Sequence, residues 1–228
     1  MRYLTLNDFN SKISRENFDV VTGSSEAVVT EVEGDVIDEI SSYLGTRYDT
    51  AKIFIYYVPF VVGESFAIGT VLYLSALKYD INKAYALNDL ATDEVKVFKA
   101  LQAGTNKPFT DAAYWVEIGK NNAFYTVKTA DAAGILSNND HYTAGDPRNA
   151  LIKRYAVDIV LYELHSRINP RNIPEFRIQR RDDAISWLKL VQNPRNNVNA
   201  DFLPAKDFGS QRGTDISWGA RPKQTNKY

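Results

Sequence analysis

Two histidines, a serine in a glycine-flanked segment and several carboxylates are the side chains whose types could support chemistry. His165 lies near the end of a predicted helix, where an imidazole can hydrogen-bond the last carbonyl groups and favour the helix dipole. His141 has no neighbouring motif. The segment GESFAIG (63–69) lacks the G-x-S-x-G spacing of a nucleophile elbow. We therefore expect a capping or solvent role for His165 and no serine nucleophile at 63–69.

The carboxylates do not show the spacing of a metal site. The run RRDD (180–183) places two aspartates beside two arginines within a predicted helix, which is typical of a solvated face with local ion pairs. Four further carboxylates, which could attract divalent cations but lack ligand spacing, are Glu31, Asp35, Asp38 and Glu39. A P-loop, a GxGxxG after a strand and an HExxH are all absent from the sequence. We predict a protein that is not an enzyme and uses no cofactor and no metal.

Composition restricts the class of protein further. The chain has 228 residues, 44% hydrophobic and 12% aromatic, which is enough for a sizeable core. A net charge of -1 argues against a general nucleic-acid binder or a membrane-surface protein. Without cysteine there is no disulfide framework or thiolate nucleophile. The start MRYLTLNDF predicts no signal peptide, and no apolar run is long enough to span a membrane.

Charge is unevenly distributed along the chain. Residues 24–49 hold seven carboxylates against Arg47 alone, whereas 148–181 hold eight lysines or arginines against three carboxylates. We expect the acidic segment to face the basic one, either across a subunit boundary or inside the monomer. The alternative is that both are merely solvated. The expected basic stretch is formed by Arg148, Lys153, Arg154, Arg177, Arg180 and Arg181. The expected subunit contacts are Glu31, Asp35 and Asp38 on the acidic side and Arg154, Arg177, Arg180 and Arg181 on the basic side.

Helical periodicity occurs in the first and last thirds of the chain. Thr5 with Asp8 is a capping-box-like start to a short helix, and apolar residues three to four apart predict an acidic amphipathic helix within 24–49. Gly34 in that helix costs about 1 kcal/mol relative to alanine. A third helix is predicted with Asp146 as its N-cap, and a fourth begins near Pro174 and ends before Pro194.

Between these helices the pattern changes to short β-branched and aromatic runs separated by turn residues. The predicted fold class is α+β: a small helical bundle interrupted by an inserted β-rich domain, followed by an extended C-terminal arm. The helical domain comprises 1–51 and 144–194, the inserted β-rich module 52–143, and the arm 195–228. The arm contains only scattered apolar anchors and cannot offset its own ordering entropy.

The helical segments resemble the head-tail connector (adaptor) family of tailed bacteriophages. The residues that carry the resemblance are TLNDF (5–9), SSYLGTRYD (41–49), PRNALIKRYAVDIVLYELHSR (147–167) and RRDDAISWLKLVQNPR (180–195). Family members have a short loop where this chain has its β-rich insertion, so the chain departs from the pattern there. The insertion and the WGARP tail (218–222) are similar to features of ring proteins of crAss-like phages.

The resemblance implies an adaptor-like bundle and a structural virion protein. Twelve copies would form a ring that binds the portal protein at the capsid vertex and leads to the next connector or the tail. Assembled in the host cytoplasm, the ring would sit at the head-tail junction, contact no membrane, and let genomic DNA pass without sequence readout. The C-terminal arm would dock on the portal or on a neighbouring subunit. Its expected partner contacts are Phe202, Phe208, Arg212, Trp218, Arg221 and Lys223.

A second resemblance concerns the insertion alone. The segment EVKVFKALQAGTNKPFTDAAYWVEIG (94–119) is similar to small carbohydrate-binding-like β modules. In that comparison Phe98, Tyr114 and Trp115 take the places of exposed aromatic residues that stack on sugar rings. Alternation along a strand would bury at least one residue of each neighbouring pair, so core or subunit packing is the competing interpretation. The alternative function is therefore a carbohydrate- or protein-binding β module on a helical platform.

Overall fold

The computed structural model describes residues 2–130, 134–193, 195–196 and 200–207. Helices and two small sheets occupy this part of the chain, which confirms the α+β class. The helices are α1 (Leu6–Asn10), α2 (Arg15–Thr22), α3 (Glu26–Leu44), α4 (Thr50–Ile53), α5 (Ala150–Ile168) and α6 (Glu175–Gln192). The strands are β1 (Tyr57–Pro59), β2 (Val71–Leu74), β3 (Leu90–Thr92), β4 (Lys96–Ala100), β5 (Trp115–Lys120), β6 (Ala123–Val127) and β7 (Tyr142–Ala144).

Side-chain caps determine where the helices begin. The capping box of Thr5 and Asp8 is present at the start of α1. The predicted N-cap at Asp146 is wrong, because α5 begins at Ala150 and is capped by Asn149, whose side chain accepts hydrogen bonds from two backbone amides of the first turn. Asp146 pairs with basic side chains instead.

The helical unit is built around α3, α5 and α6, which all contact one another. Their apolar stripes form one core together with buried residues of the N-terminal segment and of 200–207. Gly34, in the middle of α3, has open space around its Cα, so packing on the opposite face of the helix holds α3 together and no neighbouring backbone approaches there. Among the most deeply buried side chains of this core are Tyr3, Leu4, Phe9, Ile40, Leu44, Ile152 and Ile159.

The β-rich module consists of two small sheets that share a core. One sheet has the strand order β1-β2-β6-β7, with β1 and β2 parallel, and the other is the antiparallel sheet β3-β4-β5. Gly119 of β5 lies where the sheets meet, since a Cβ there would approach the Tyr125 hydroxyl to 2.7 Å and the Leu74 side chain to 3.0 Å. A side chain at this position would force the two sheets apart.

The boundary between the helical unit and the β-rich module differs from the predicted one. Ile53 and Phe54 lie in the helical core, although the module was expected to begin at residue 52. The N-terminal segment also reaches the module, because the Tyr57 amide donates to the Arg2 carbonyl (3.0 Å) and its hydroxyl donates to the Leu4 carbonyl (3.1 Å). The two units are thus joined by backbone and side-chain contacts as well as by covalent connections.

Candidate interaction surfaces

The outer face of α3 carries a stripe of three exposed carboxylates. Glu31, Asp35 and Asp38 fall within about 60° of one another around the helix axis. Glu31 pairs with Arg167 of α5 (3.3 Å). Within the described part of the chain, Asp35 and Asp38 form no ion pair. This stripe, called the acidic stripe below, has carboxylates available to a partner.

Glu33 departs from the acidic face predicted for this helix. It is 3% exposed, and one carboxylate oxygen accepts hydrogen bonds from the backbone amides of Tyr3 (2.6 Å) and Leu4 (3.0 Å). Its other oxygen lies 3.4 Å from Arg2 Nε. Glu33 therefore fixes the N-terminal segment against α3 and takes no part in an outer surface.

Several basic side chains surround one buried carboxylate where α1, α5 and α6 meet. Asp158 is 3% exposed, and its oxygens lie 3.5 Å from Lys12 Nζ, 4.0 Å from Arg154 Nε and 3.7 Å from Arg180 Nη1. Arg154 and Arg180 are largely exposed, at 63% and 42% of their side chains. One carboxylate cannot neutralise these cations, so the surface, called the basic patch below, keeps an excess of positive charge.

The buried Arg177 adds positive charge beneath the surface of the basic patch. The residue is 3% exposed, and one guanidinium nitrogen donates to the Lys12 carbonyl (2.9 Å). Its Nε and Nη1 have no hydrogen-bond partner among the described residues. Burial, followed by the nearby Arg180 charge, lowers the pKa of Arg177. The prediction that Arg177 itself contacts another subunit is wrong, because its guanidinium is enclosed by its own chain.

Arg181 also has partners inside the subunit. Its guanidinium lies 3.9 Å from Glu39 of α3, 3.6 Å from Glu163 of α5 and 3.8 Å from Asp182. It also covers the ring of Tyr162 at 4.8 Å. Arg181 thus links the three main helices, which is the intramolecular version of the expected acidic-to-basic contact. Of the four predicted basic interface residues, Arg154 and Arg180 retain exposed guanidinium groups.

Arg148 of the predicted basic stretch is buried and joins the helical unit to the β-rich module. The side chain of Arg148 is 1% exposed; its guanidinium lies 2.8 Å from carboxylate oxygens of both Asp8 and Asp146 and also donates to the Tyr3 carbonyl. It covers the ring of Phe124 in β6 at 4.2 Å. An Asp two residues before an Arg ahead of a helix is the local sequence signal of this network.

Arg148 and its partners border a cleft of about 720 Å³ between the units. Burial raises the pKa of Asp146, but hydrogen bonds from Arg148 and Lys153 outweigh it and lower the pKa to about 2. Equal numbers of acidic and basic side chains line the cleft: Asp8, Glu117, Asp146, Lys120, Arg148 and Lys153. Its volume falls in the range of small-molecule sites, and junctions between units are frequent places for them.

The described part of the predicted C-terminal arm packs on the helical unit. Leu203 is 3% exposed, the Asp49 amide donates to the Pro204 carbonyl (2.9 Å), and the Lys206 amide donates to the Arg47 carbonyl (2.9 Å). Residues 200–207 therefore continue the helical unit instead of leaving it. Phe202 is 51% exposed and stacks on Trp187 at 6.4 Å. The other predicted arm contacts lie outside the described residues: Phe208, Arg212, Trp218, Arg221 and Lys223.

The three aromatic residues proposed to stack on a ligand have different environments. Trp115 is 5% exposed, donates from Nε1 to the Lys107 carbonyl (2.8 Å), and contacts Phe109 edge-on. Phe98 is half-buried and stacks on Phe109 at 4.1 Å, and Tyr114 lies beneath the Lys107 ammonium at 4.3 Å. A stacking role for Trp115 is contradicted by its burial, so this ring is a core residue of the module.

Each of the two histidines has a hydrogen-bonding contact within the subunit. His165 Nδ1 lies 2.6 Å from the carbonyl of Leu161, one turn earlier in α5, which is not among the last four carbonyls that a C-terminal cap would bind. His141 Nδ1 lies 2.6 Å from Thr129 Oγ1. Over the residues that the structure describes, no group of three His, Cys, Asp or Glu could hold a metal ion. In the same residues, no helix has the length and hydropathy to cross a membrane.

Comparisons with protein-family models, with curated proteins and with solved structures found no match to this chain. The resemblance to phage connectors therefore remains a prediction. The fold and the surfaces themselves define an α+β protein whose helical unit carries an acidic stripe and a basic patch.

Proposed function

We propose that this chain is a structural subunit of a ring at the head-tail junction of a tailed phage. The ring, with twelve copies as its expected size, joins the portal at the capsid vertex to the next connector or the tail. Genomic DNA passes through its lumen without sequence readout. The adaptor-like helical unit builds the ring wall, and the β-rich module is an elaboration of it.

The observation that carries the proposal is the separation of opposite charges on the helical unit. A ring of identical subunits needs a heterologous interface, in which one face of each subunit complements a different face of its neighbour. The acidic stripe on α3 and the basic patch beside Asp158 are two such faces. Each retains charges without a full set of partners among the described residues of its own chain.

The arm beyond residue 207 supplies the contact with the portal in this proposal. Its residues outside the described part include one tryptophan, Trp218, and several basic side chains. A segment of this composition gains order against a partner, with an aromatic anchor in a pocket and arginines on carboxylates. Because residues 200–207 belong to the helical unit, a truncation after Asp207 removes the arm without opening the core.

Native mass spectrometry and negative-stain electron microscopy of the purified chain test the ring. We expect closed rings, favoured by low salt because the proposed interface is charged. A protein that stays monomeric at every salt concentration would refute self-assembly. For the arm, the chain truncated after Asp207 should fold and form rings but lose capture of the portal protein. Retained portal capture would show that the arm is not the contact.

The cleft between the units favours a second candidate function, ligand binding by the β-rich module. Its lining has no net charge and offers many donors and acceptors, which suits a neutral, hydroxyl-rich ligand such as a saccharide. Glycan-array binding by the wild-type chain that is lost in Glu117→Ala and kept in Trp115→Phe would support this function. The absence of binding to any glycan would leave the cleft as a structural junction.

A further inference from the structure

The acidic stripe borders a groove between α3 and α5 that is shaped to receive a side chain. The groove has a volume of about 270 Å³. Val32 and Val36, both buried, form an apolar floor. Polar and charged side chains complete its lining: Asp35, Glu39, Glu163, Ser166 and Arg167.

Negative charge exceeds positive charge around this groove. Asp35, Glu39 and Glu163 line it, and Glu31 lies at its edge through its pairing with Arg167. The guanidinium of Arg181 approaches Glu39 and Glu163 only at 3.9 and 3.6 Å, which is beyond a normal hydrogen bond. Two guanidinium groups thus face four carboxylates, and further cations are needed to neutralise them.

The basic patch has the composition of an interface centre. Phe176 is 49% exposed, and the guanidinium groups of Arg177 and Arg180 lie 4.8 and 5.7 Å from its ring centre. Exposed aromatic rings combined with arginine are enriched among residues that dominate binding energy. The unpartnered nitrogens of Arg177 add positive charge beneath this surface without offering an exposed contact.

The groove and the patch cannot meet within one subunit. Asp158, at the centre of the patch, and Arg167, at the edge of the groove, lie on the same helix about 180° apart around its axis. Contact between these surfaces therefore requires two copies of the chain, related by a rotation that places the patch of one on the groove of the next. This is the heterologous arrangement that closes into a ring.

We infer that Arg154 and Arg180 of one subunit dock at the α3–α5 groove of its neighbour and pair with Asp35 and Glu39. Phe176 covers the groove entrance, so that these ion pairs form in a partly dehydrated setting where charge attraction is stronger. The occupant is a second copy of this chain. This inference rests on the proposed ring and specifies which surfaces of the subunits form its interface.

A mixing experiment with two reversed variants tests the inference. The first variant, Asp35→Lys with Asp38→Lys, reverses exposed carboxylates of the acidic side. The second, Arg154→Glu with Arg180→Glu, reverses the basic side. Each variant alone brings like charges together, whereas an equimolar mixture restores one matched interface and creates one reversed but complementary interface. We expect each variant alone to assemble at least about tenfold more weakly than wild type at low salt, and the mixture to form rings.

Controls separate this inference from folding defects and from the proposed function. Lys189→Glu changes charge on α6 about 180° away from Arg180, and it should assemble like wild type. Circular dichroism should show that the first variant is folded, because Asp35 and Asp38 lack ion pairs in the described part of the subunit. If the second variant does not fold, high salt should bring assembly of the first variant closer to that of wild type at the same salt concentration, because the like charges are then screened.

Three results would overturn the inference. If the wild type and both variants form rings equally well, this interface is rejected, but the proposed ring function is not. Variants that weaken assembly but are not rescued by mixing would show that the two surfaces are not partners. Where the second variant is unfolded, a difference between the first variant and wild type that does not shrink at high salt would show the same. Wild-type protein that never assembles would reject the proposed function itself.

Discussion

Replacing Arg148 by Met tests whether one buried guanidinium joins the helical unit to the β-rich module. The guanidinium is held by Asp8 and Asp146 and covers the ring of Phe124, so it contacts both units. Methionine retains much of the apolar bulk but removes the charge and every donor. The change therefore leaves two carboxylates and the Tyr3 carbonyl without their main partner.

The expected cost follows from the burial of this network. Removing one partner of a buried ion pair costs about 3–5 kcal/mol, because the remaining charge stays desolvated. Lys153 lies 2.7 Å from Asp146 and 3.4 Å from Asp8, and it partly compensates both carboxylates after the substitution. We therefore expect a loss at the lower end, about 3 kcal/mol of unfolding free energy.

Urea unfolding monitored by circular dichroism measures this loss. Arg15→Met is the matched control, because Arg15 is 55% exposed and pairs with Asp19 within one helix, a contact of about 0.5 kcal/mol. A loss below about 1 kcal/mol for Arg148→Met would refute the reasoning. It would mean that the carboxylates are hydrated well enough without the guanidinium.

Three further outcomes are expected. Gly34→Ala should stabilise the chain by about 0.5–1 kcal/mol in urea unfolding, since a Cβ there meets open space; destabilisation would contradict this. The pKa of Asp146 is about 2 in the folded protein against an ordinary value of 3.8, so the stabilisation from its ionised form is present above pH 4 and is lost as pH falls towards 2. Asp146→Asn should therefore flatten the decrease in unfolding free energy at acid pH, measured by urea unfolding. An unchanged pH dependence of the unfolding free energy would contradict this. Trp115→Ala should cost about 3–5 kcal/mol and weaken the near-ultraviolet circular dichroism signal of the module, whereas a cost near zero would indicate an exposed ring.

Long periodic segments and the capped helix α1 were predictable from the sequence, whereas several other short elements were not. Helices α3, α5 and α6 have apolar residues at helical spacing over many turns, so their presence was predicted. The predicted limits of α6, near Pro174 and before Pro194, are confirmed. The strands β3 and β7 have three residues each, which is too few for a period to develop, and the eight-residue helix α2 was not predicted. The start of α5 was misplaced because Asp146 and Asn149 are both good N-caps. In the structure Asp146 forms ion pairs with Arg148 and Lys153, and Asn149 caps the helix.

The network around Arg148 was missed for a related reason. Its partners Asp8 and Asp146 are far apart in the sequence, and its ring contact, Phe124, belongs to the other unit. The pairing of Arg148 with Asp146 is local in sequence, but no local pattern shows that the same cation is also buried against Asp8 and Phe124. The burial of Trp115, by contrast, follows from strand alternation, which predicted that one of each neighbouring aromatic pair would face inward.

The position of each arginine around the axis of α6 determines whether its charge faces a partner or is buried in the subunit. Arg177 precedes Ala184 by about two turns, and Arg181 precedes Leu188 by the same interval, so both lie near the apolar stripe and are drawn into the subunit. Arg180 lies at the edge of that stripe and keeps an exposed guanidinium. A segment rich in basic residues can therefore present few cations to a partner. An interface on this segment depends on exposed residues such as Arg180 and not on the net charge of the segment. Charge reversal at Arg181 should accordingly lower the stability of the subunit, whereas reversal at Arg180 should chiefly weaken assembly.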